Sequence, residues 1–163
     1  MGQFKYKATL TFQLPKVEVD KKSLKTERLK LRKRLIQSHQ AGMTGFEMGL
    51  KEWLNVTMMT PAWQWPEGPK RDIYESGDLM RSLKTKTKYA QTKAVTEVIY
   101  TSPYAALMYY GGLIQPYGNQ NANSVMIPGR PWVEAALNGT YGFEKAPIAS
   151  WYEGMFNQRW EQG

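Results

Sequence analysis

Four sets of side chains in this 163-residue chain have the types and spacing for chemistry or recognition. His39 is the only histidine, and there is no cysteine. Acid–base catalysis and metal ligation both need several convergent groups. His39 has no suitable carboxylate partner and reads as a residue on the polar face of a helix. Residues 21–34 carry eight basic side chains and one acid. On a helix these surround a stripe of Leu24, Leu31 and Leu35. Three readings stay open: a solvated face over core leucines, phosphate contact with counterion release, and docking on an acidic protein surface. Lys84, Lys86 and Lys88 recur at period two, so they project from one face of a strand. They either guard a sheet edge against unwanted pairing or form a lysine comb facing a DNA channel. Trp63 and Trp65 sit among prolines, where they either fold back on the core or anchor an interface.

No Walker loop, G-x-S-x-G, H-E-x-x-H or paired-carboxylate signature is present, so no catalysis, cofactor or metal is expected. Zinc-finger spacing, a glycine–aromatic RNA-binding string and a helix-turn-helix are also missing, which argues against sequence-specific DNA reading. The net charge of +8 is uneven. Residues 1–93 hold 19 Lys/Arg against 9 Asp/Glu, a net of +10, whereas residues 94–163 hold 3 against 5, a net of −2. Absence of cysteine rules out disulfides and thiolate metal sites and suits a reducing cytoplasm. No apolar run approaches the roughly 20 residues a bilayer span needs, so no membrane partner is expected. Met1-Gly2-Gln3-Phe4-Lys5-Tyr6 alternates instead of forming an apolar signal core, and Tyr6 stands where a myristoylation signal has Ser or Thr.

The elements that must position these groups follow from periodicity. Phe4, Tyr6, Ala8, Leu10, Phe12 and Leu14 share one face of a strand that Pro15 stops. From about Ser23 to Thr57 the spacing turns helical, with Leu24, Leu31, Leu35, Phe46, Leu50 and Trp53 as the apolar set and Ser23 as N-cap. Ser38, Gly42, Gly45 and Gly49 are four, three and four apart. They either break the helix or form a small-residue stripe that admits another backbone, and one long, kinked helix is the favoured reading. Residues 60–72 form a proline-rich loop. Ser76 caps a short helix through Leu83. Lys84–Tyr89 and Ala94–Tyr100 form a hairpin. Ser102 caps a helix that has Pro103 in its first turn, runs to Tyr110 and stops at Gly111-Gly112. Leu113–Ser124 is a polar loop, Val125–Ile127 a short strand, and Pro131–Leu137 a helix. Gly139 and Gly142 turn the chain into a last helix, Glu144–Gln162. The expected fold is one α+β domain over 1–163. A small antiparallel sheet packs against a long helix, with further short helices and a C-terminal helical extension at about 144–162.

Three segments in fixed order carry a family resemblance. They are Ser76-Gly77-Asp78-Leu79-Met80-Arg81-Ser82-Leu83, then Ser102-Pro103-Tyr104-Ala105-Ala106-Leu107-Met108-Tyr109-Tyr110-Gly111-Gly112, then Ile127-Pro128-Gly129-Arg130-Pro131-Trp132-Val133-Glu134-Ala135-Ala136-Leu137. Together they resemble the neck, or tail-completion, proteins of long-tailed bacteriophages. In that family a "TG-L-RS" turn precedes a hairpin, a "YA-YVE-G" helix and an "aRPfl-pAl" helix start. Gly77 and Leu79 match the first pattern, with Ser76 where Thr is common. Tyr104, Ala105 and Gly111 match the second, with Tyr110 in place of the acid. Arg130, Pro131 and Trp132 match the third, with Ala replacing Pro further on. The resemblance covers neither the 113–124 loop nor the C-terminal helix.

It implies a non-enzymatic virion protein at the head–tail junction, assembled in the host cytoplasm. Its copies, six or twelve, would form a ring around the DNA channel. The ring's neighbours would be a head-side connector or stopper and a tail terminator or tube, with non-specific DNA contact in the channel. The alternative is a non-catalytic nucleic-acid-binding protein using the basic helix and the lysine-rich hairpin.

Overall fold

A stretch without proline, rich in Leu, Lys, Arg, Gln and Met, forms the longest element: helix α1, Lys25–Met59. Met43, Phe46, Leu50, Leu54 and Met58, three or four apart, are fully buried along one stripe. The helix runs unbroken through Gly42, Gly45 and Gly49. The Thr60 N–H still bonds the Val56 carbonyl at 3.0 Å, and Pro61 stops further winding. The computed structural model describes residues 4–6 (backbone only), 25–73, 77–89, 93–115 and 123–163. The strand expected over 7–14, the cap at Ser23, Leu24, the hairpin link 90–92 and residues 116–122 lie outside that set; Ser76 does too, and Gly77 holds the N-cap position expected of it.

The chain is an α+β protein with the long helix packed against a small antiparallel sheet and short helices beside it. Strand β1 (Phe4–Tyr6) pairs antiparallel with β3 (Ala94–Tyr100), placing Phe4 opposite Tyr100 and Tyr6 opposite Val98. Strand β2 (Leu83–Tyr89) flanks β3 on its other side, giving the order β1-β3-β2. Burial alternates along β3: Ala94, Thr96, Val98 and Tyr100 are buried while Val95, Glu97 and Ile99 are half-buried. That is the period of a strand with one face on the core. Helix α2 (Asp78–Arg81) precedes β2, and α3 (Ala105–Tyr110) follows β3. Strands β4 (Gly112–Ile114) and β5 (Val125–Ile127) pair antiparallel, with Leu113 opposite Met126. Helices α4 (Trp132–Asn138) and α5 (Ile148–Gln162) complete the chain.

Several local expectations change. Ser102 does not cap α3: Tyr104 holds the N-cap position, and the Ser102 carbonyl instead accepts the Ala105 N–H at 3.1 Å in a preceding turn. Leu113 and Ile114 belong to β4 and not to a loop, because β5 supplies the partner that a two-residue apolar segment needs. Trp63 and Arg71 form an isolated antiparallel bridge inside the segment expected to lack regular structure. The last helix begins at Ile148, with Pro147 at its N-cap, so 144–146 are not helical.

The chain divides into two compact units. The first gathers Lys51–Lys86 and Glu97–Ala146 with β1. Its centre is aromatic. Trp132 meets Tyr100 and Tyr109 edge-on, at ring separations of 5.3 and 5.0 Å, and Trp63 stacks on Phe143 at 5.3 Å. The second unit contains α1 up to Leu50, residues 87–96 and α5. Here the glycine stripe receives α5. A Cβ at Gly42 would lie 2.7 Å from the Tyr152 ring, one at Gly45 2.5 Å from Met155, and one at Gly49 2.2 Å from the Trp151 indole. The small residues admit a neighbouring helix, and that helix is α5. The Glu47 carboxylate accepts the Thr87 hydroxyl, which also lies 2.8 Å from the Thr96 hydroxyl, joining α1 to both strands within this unit.

Candidate functional site

The three motif segments, spread over more than 50 residues of chain, come together in the first unit. Gly77 is buried and adopts the left-handed conformation (φ 75°) at the N-cap of α2, a geometry glycine reaches without steric cost. The helix it starts ends at Ser82, whose carbonyl accepts the Thr101 N–H at 3.1 Å and so fixes α2 beside the end of β3. Leu79 is half-buried.

The second segment builds α3. Ala105 is fully buried and Tyr104 is 68% exposed, so the matched pair divides between core and surface. Gly111 (φ 76°) closes the helix, its N–H donating to the Leu107 carbonyl at 2.8 Å. A Cβ there would also lie 2.5 Å from the Ile127 carbonyl oxygen and 2.6 Å from the Gly129 nitrogen. Both backbone angle and close approach therefore require glycine.

The third segment locks onto the second. The Arg130 N–H donates to the carbonyls of Met108 and Tyr109 at 3.1 and 3.0 Å, satisfying acceptors at the end of α3. The Arg130 side chain is fully buried. Its Nε donates to the Gln64 carbonyl at 3.0 Å, its Nη1 lies 3.4 Å from the Met108 sulfur, and its guanidinium sits 4.1 Å over the Trp65 ring. Arg71 lies over the same ring at 3.7 Å, and the Trp65 N–H donates to the Asp72 carbonyl at 3.1 Å. A planar cation suits this place, since it can stack and donate at once. Pro131 stands at the N-cap of α4, and Trp132 begins the helix fully buried.

Beside this cluster opens an apolar cleft of about 350 Å³, lined by Met58, Trp65, Leu79, Tyr104, Leu107 and Ile127 among others. Asp78 and Ser102 are polar side chains in its lining. Among the described residues no group of three or more His, Asp or Glu side chains lies in metal-holding range. The arrangement suits apolar contact and mechanical positioning. Nearby, burial pushes the titration of Tyr100 upward.

The other expected residues lie elsewhere. Trp63 is in the core, its N–H donating to the Thr57 carbonyl at 2.9 Å, whereas Trp65 joins the Arg130 cluster. Lys84, Lys86 and Lys88 are exposed on the outer strand of the sheet and do not line the cleft. Lys25, Arg28, Lys30, Arg32 and Lys33 are exposed on α1. His39 is not on a polar face: it is buried, and its Nδ1 shares a 2.8 Å hydrogen bond with the Tyr152 hydroxyl. Arg71 went unremarked in the sequence, and nothing local marks it, because its partner is a ring six residues away across a turn. No helix among the described residues is long and apolar enough to cross a membrane. Comparison with protein-family models, curated proteins and solved structures matches none of them to this chain.

Proposed function

We propose that the chain is a non-catalytic structural subunit of a phage neck. Copies of it, six or twelve, form a ring at the head–tail junction of the virion, after assembly in the host cytoplasm. The head-side neighbour is a connector or stopper, the tail-side neighbour a terminator or tube protein, and the genome passes through the ring with non-specific contact. One observation carries the reading. The three segments that resemble the neck family form a single built cluster, in which Arg130 ties α3, α4 and the Trp65 loop together. Motif residues spent on backbone capping and burial suit a part that must hold its shape in an assembly. Cryo-EM of intact particles tests it. Density for this chain at the head–tail junction is expected, and its absence there overturns the proposal.

A second reading, a nucleic-acid-binding protein outside any virion, is favoured by the exposed lysines of β2 and the basic surface of α1. It expects a soluble monomer that binds duplex DNA tightly, with affinity falling steeply as salt rises. A ring with only weak affinity for free duplex would oppose it.

A further inference from the structure

We infer that the docking of α5 on α1 is a proton-sensitive latch: protonation of His39 in mild acid releases α5 from the glycine-lined groove. The inference is independent of the neck reading.

The seam holds α5 by close approach and a few polar ties. Trp151, Tyr152 and Met155 fill the groove over Gly42, Gly45 and Gly49. Arg34 donates to the Trp160 carbonyl near the last turn of α5 and lies 4.6 Å over the Trp160 ring, and Arg159 donates to Gln37 at 3.0 Å. Two polar atoms in this part of α1 are buried without a hydrogen-bond partner, the Ser38 hydroxyl and the His39 Nε2. Ser38 is fully buried and His39 is 5% exposed.

His39 meets Tyr152 of α5 and Tyr89 of β2, each edge-on at 5.8 Å. Among the described residues those two phenols are the titratable groups that face it. The charged side chains tied across the seam, again among the described residues, are Arg34 and Arg159, both cations, and Gly163 lies against Arg34. Burial raises the pKa of Tyr89, and Glu47, two turns along α1, adds to that rise and accepts the Thr87 hydroxyl. Lys88 and Glu153, beside the two tyrosines in sequence, are exposed.

A neutral imidazole is tolerable here, since one nitrogen has Tyr152 and the other can remain a bare acceptor. A protonated ring has two N–H donors and one acceptor, and it places a charge out of water. Burial accordingly lowers the His39 pKa below its usual 6.5. The sign follows. With the folded value depressed, the docked form is fully favoured above about 6.5 and loses ground as pH falls from there through the folded value. Undocking α5 lifts Tyr152 off the ring and opens that side of it to water. His39 lies one turn before Met43, at the end of the Met43, Phe46 and Leu50 stripe, and those three fully buried side chains stay buried beside the glycine face.

The full-length protein is followed by hydrogen exchange, corrected for intrinsic rates, between about pH 7.5 and pH 5. Protection of 148–162 is expected to fall by up to about tenfold per pH unit below the usual imidazole value, while protection of 43–58 holds. His39→Gln keeps a partner for Tyr152 without a titrating charge, and protection of α5 should then be independent of pH. Since His39 is the only histidine, its ring proton gives an unambiguous magnetic-resonance titration in the unmodified chain. The midpoint should lie below 6.5 and coincide with loss of α5 protection. Should His39→Gln not fold, that titration decides alone. Unchanged α5 protection at about pH 5, a midpoint at or above the usual value, or the same acid response in His39→Gln overturns the latch.

Discussion

At the residue scale the glycines of α1 and α5 make opposite demands. Gly49 faces the Trp151 indole so closely that an added Cβ would overlap it, whereas a Cβ at Gly154 would meet nothing within 4 Å. Gly49→Ala is therefore expected to cost about 1–3 kcal/mol by overpacking, despite the better helix propensity of alanine. Gly154→Ala should stabilise by up to about 1 kcal/mol. Urea denaturation read by tryptophan fluorescence checks both, and equal effects of like sign would contradict the groove. Tyr100 makes a second residue-scale case. Its burial holds the phenol's proton beyond the usual 10.0, so its contribution to stability is complete below that pH and is lost as pH rises above it. Tyrosinate absorbance should show one phenol that ionises only with unfolding, and Tyr100→Phe should remove that step.

At the element scale, α1 is a helix whose buried stripe shifts along its length. Leu50 is fully buried but Leu35 is only half-buried. Leu50→Ala is expected to cost about 2–5 kcal/mol, and Leu35→Ala distinctly less, because only part of its side chain leaves water on folding. Thermal unfolding of the two variants measures the difference, and equal losses would show that the stripe is misplaced. β2 shows the same logic for a strand. Its three lysines alternate with half-buried Leu83, Thr85 and Thr87 on a strand that, among the described residues, pairs along one edge only, where charge opposes further pairing.

At the scale of the whole molecule, the basic excess is carried by residues 1–93, and among described residues much of it is exposed on α1 and β2. Exposed charges can be reversed without a packing penalty. Replacing Lys84, Lys86 and Lys88 by Glu should leave the thermal midpoint nearly unchanged. If these lysines meet phosphate, the slope of log affinity for duplex DNA against log salt should fall by about 2.7, near 0.9 for each phosphate no longer neutralised. An unchanged slope assigns them to edge protection alone.

Periodicity located β2, β3 and α1 nearly to the residue, because which residues share a face is a local property of the backbone, and Pro131 as a helix start placed α4. Periodicity also placed Ser38, Gly42, Gly45 and Gly49 on one face of α1. It could not say what fills that face, since α5 lies about 100 residues away in the chain. The same limit explains His39, whose surroundings along the helix are polar but whose neighbours across it are Tyr152 and Tyr89. Leu113 and Ile114 became a strand only because Val125 and Met126 pair with them. Trp63 and Trp65, alike in sequence, parted when the Trp63–Arg71 bridge turned one ring to the core and left the other beneath Arg71 and Arg130. The motif glycines and Arg130 were legible as positions of importance. Their work of capping α3 and α2 and seating a guanidinium on an indole belongs to contacts between distant segments, which only the folded chain brings within hydrogen-bonding range.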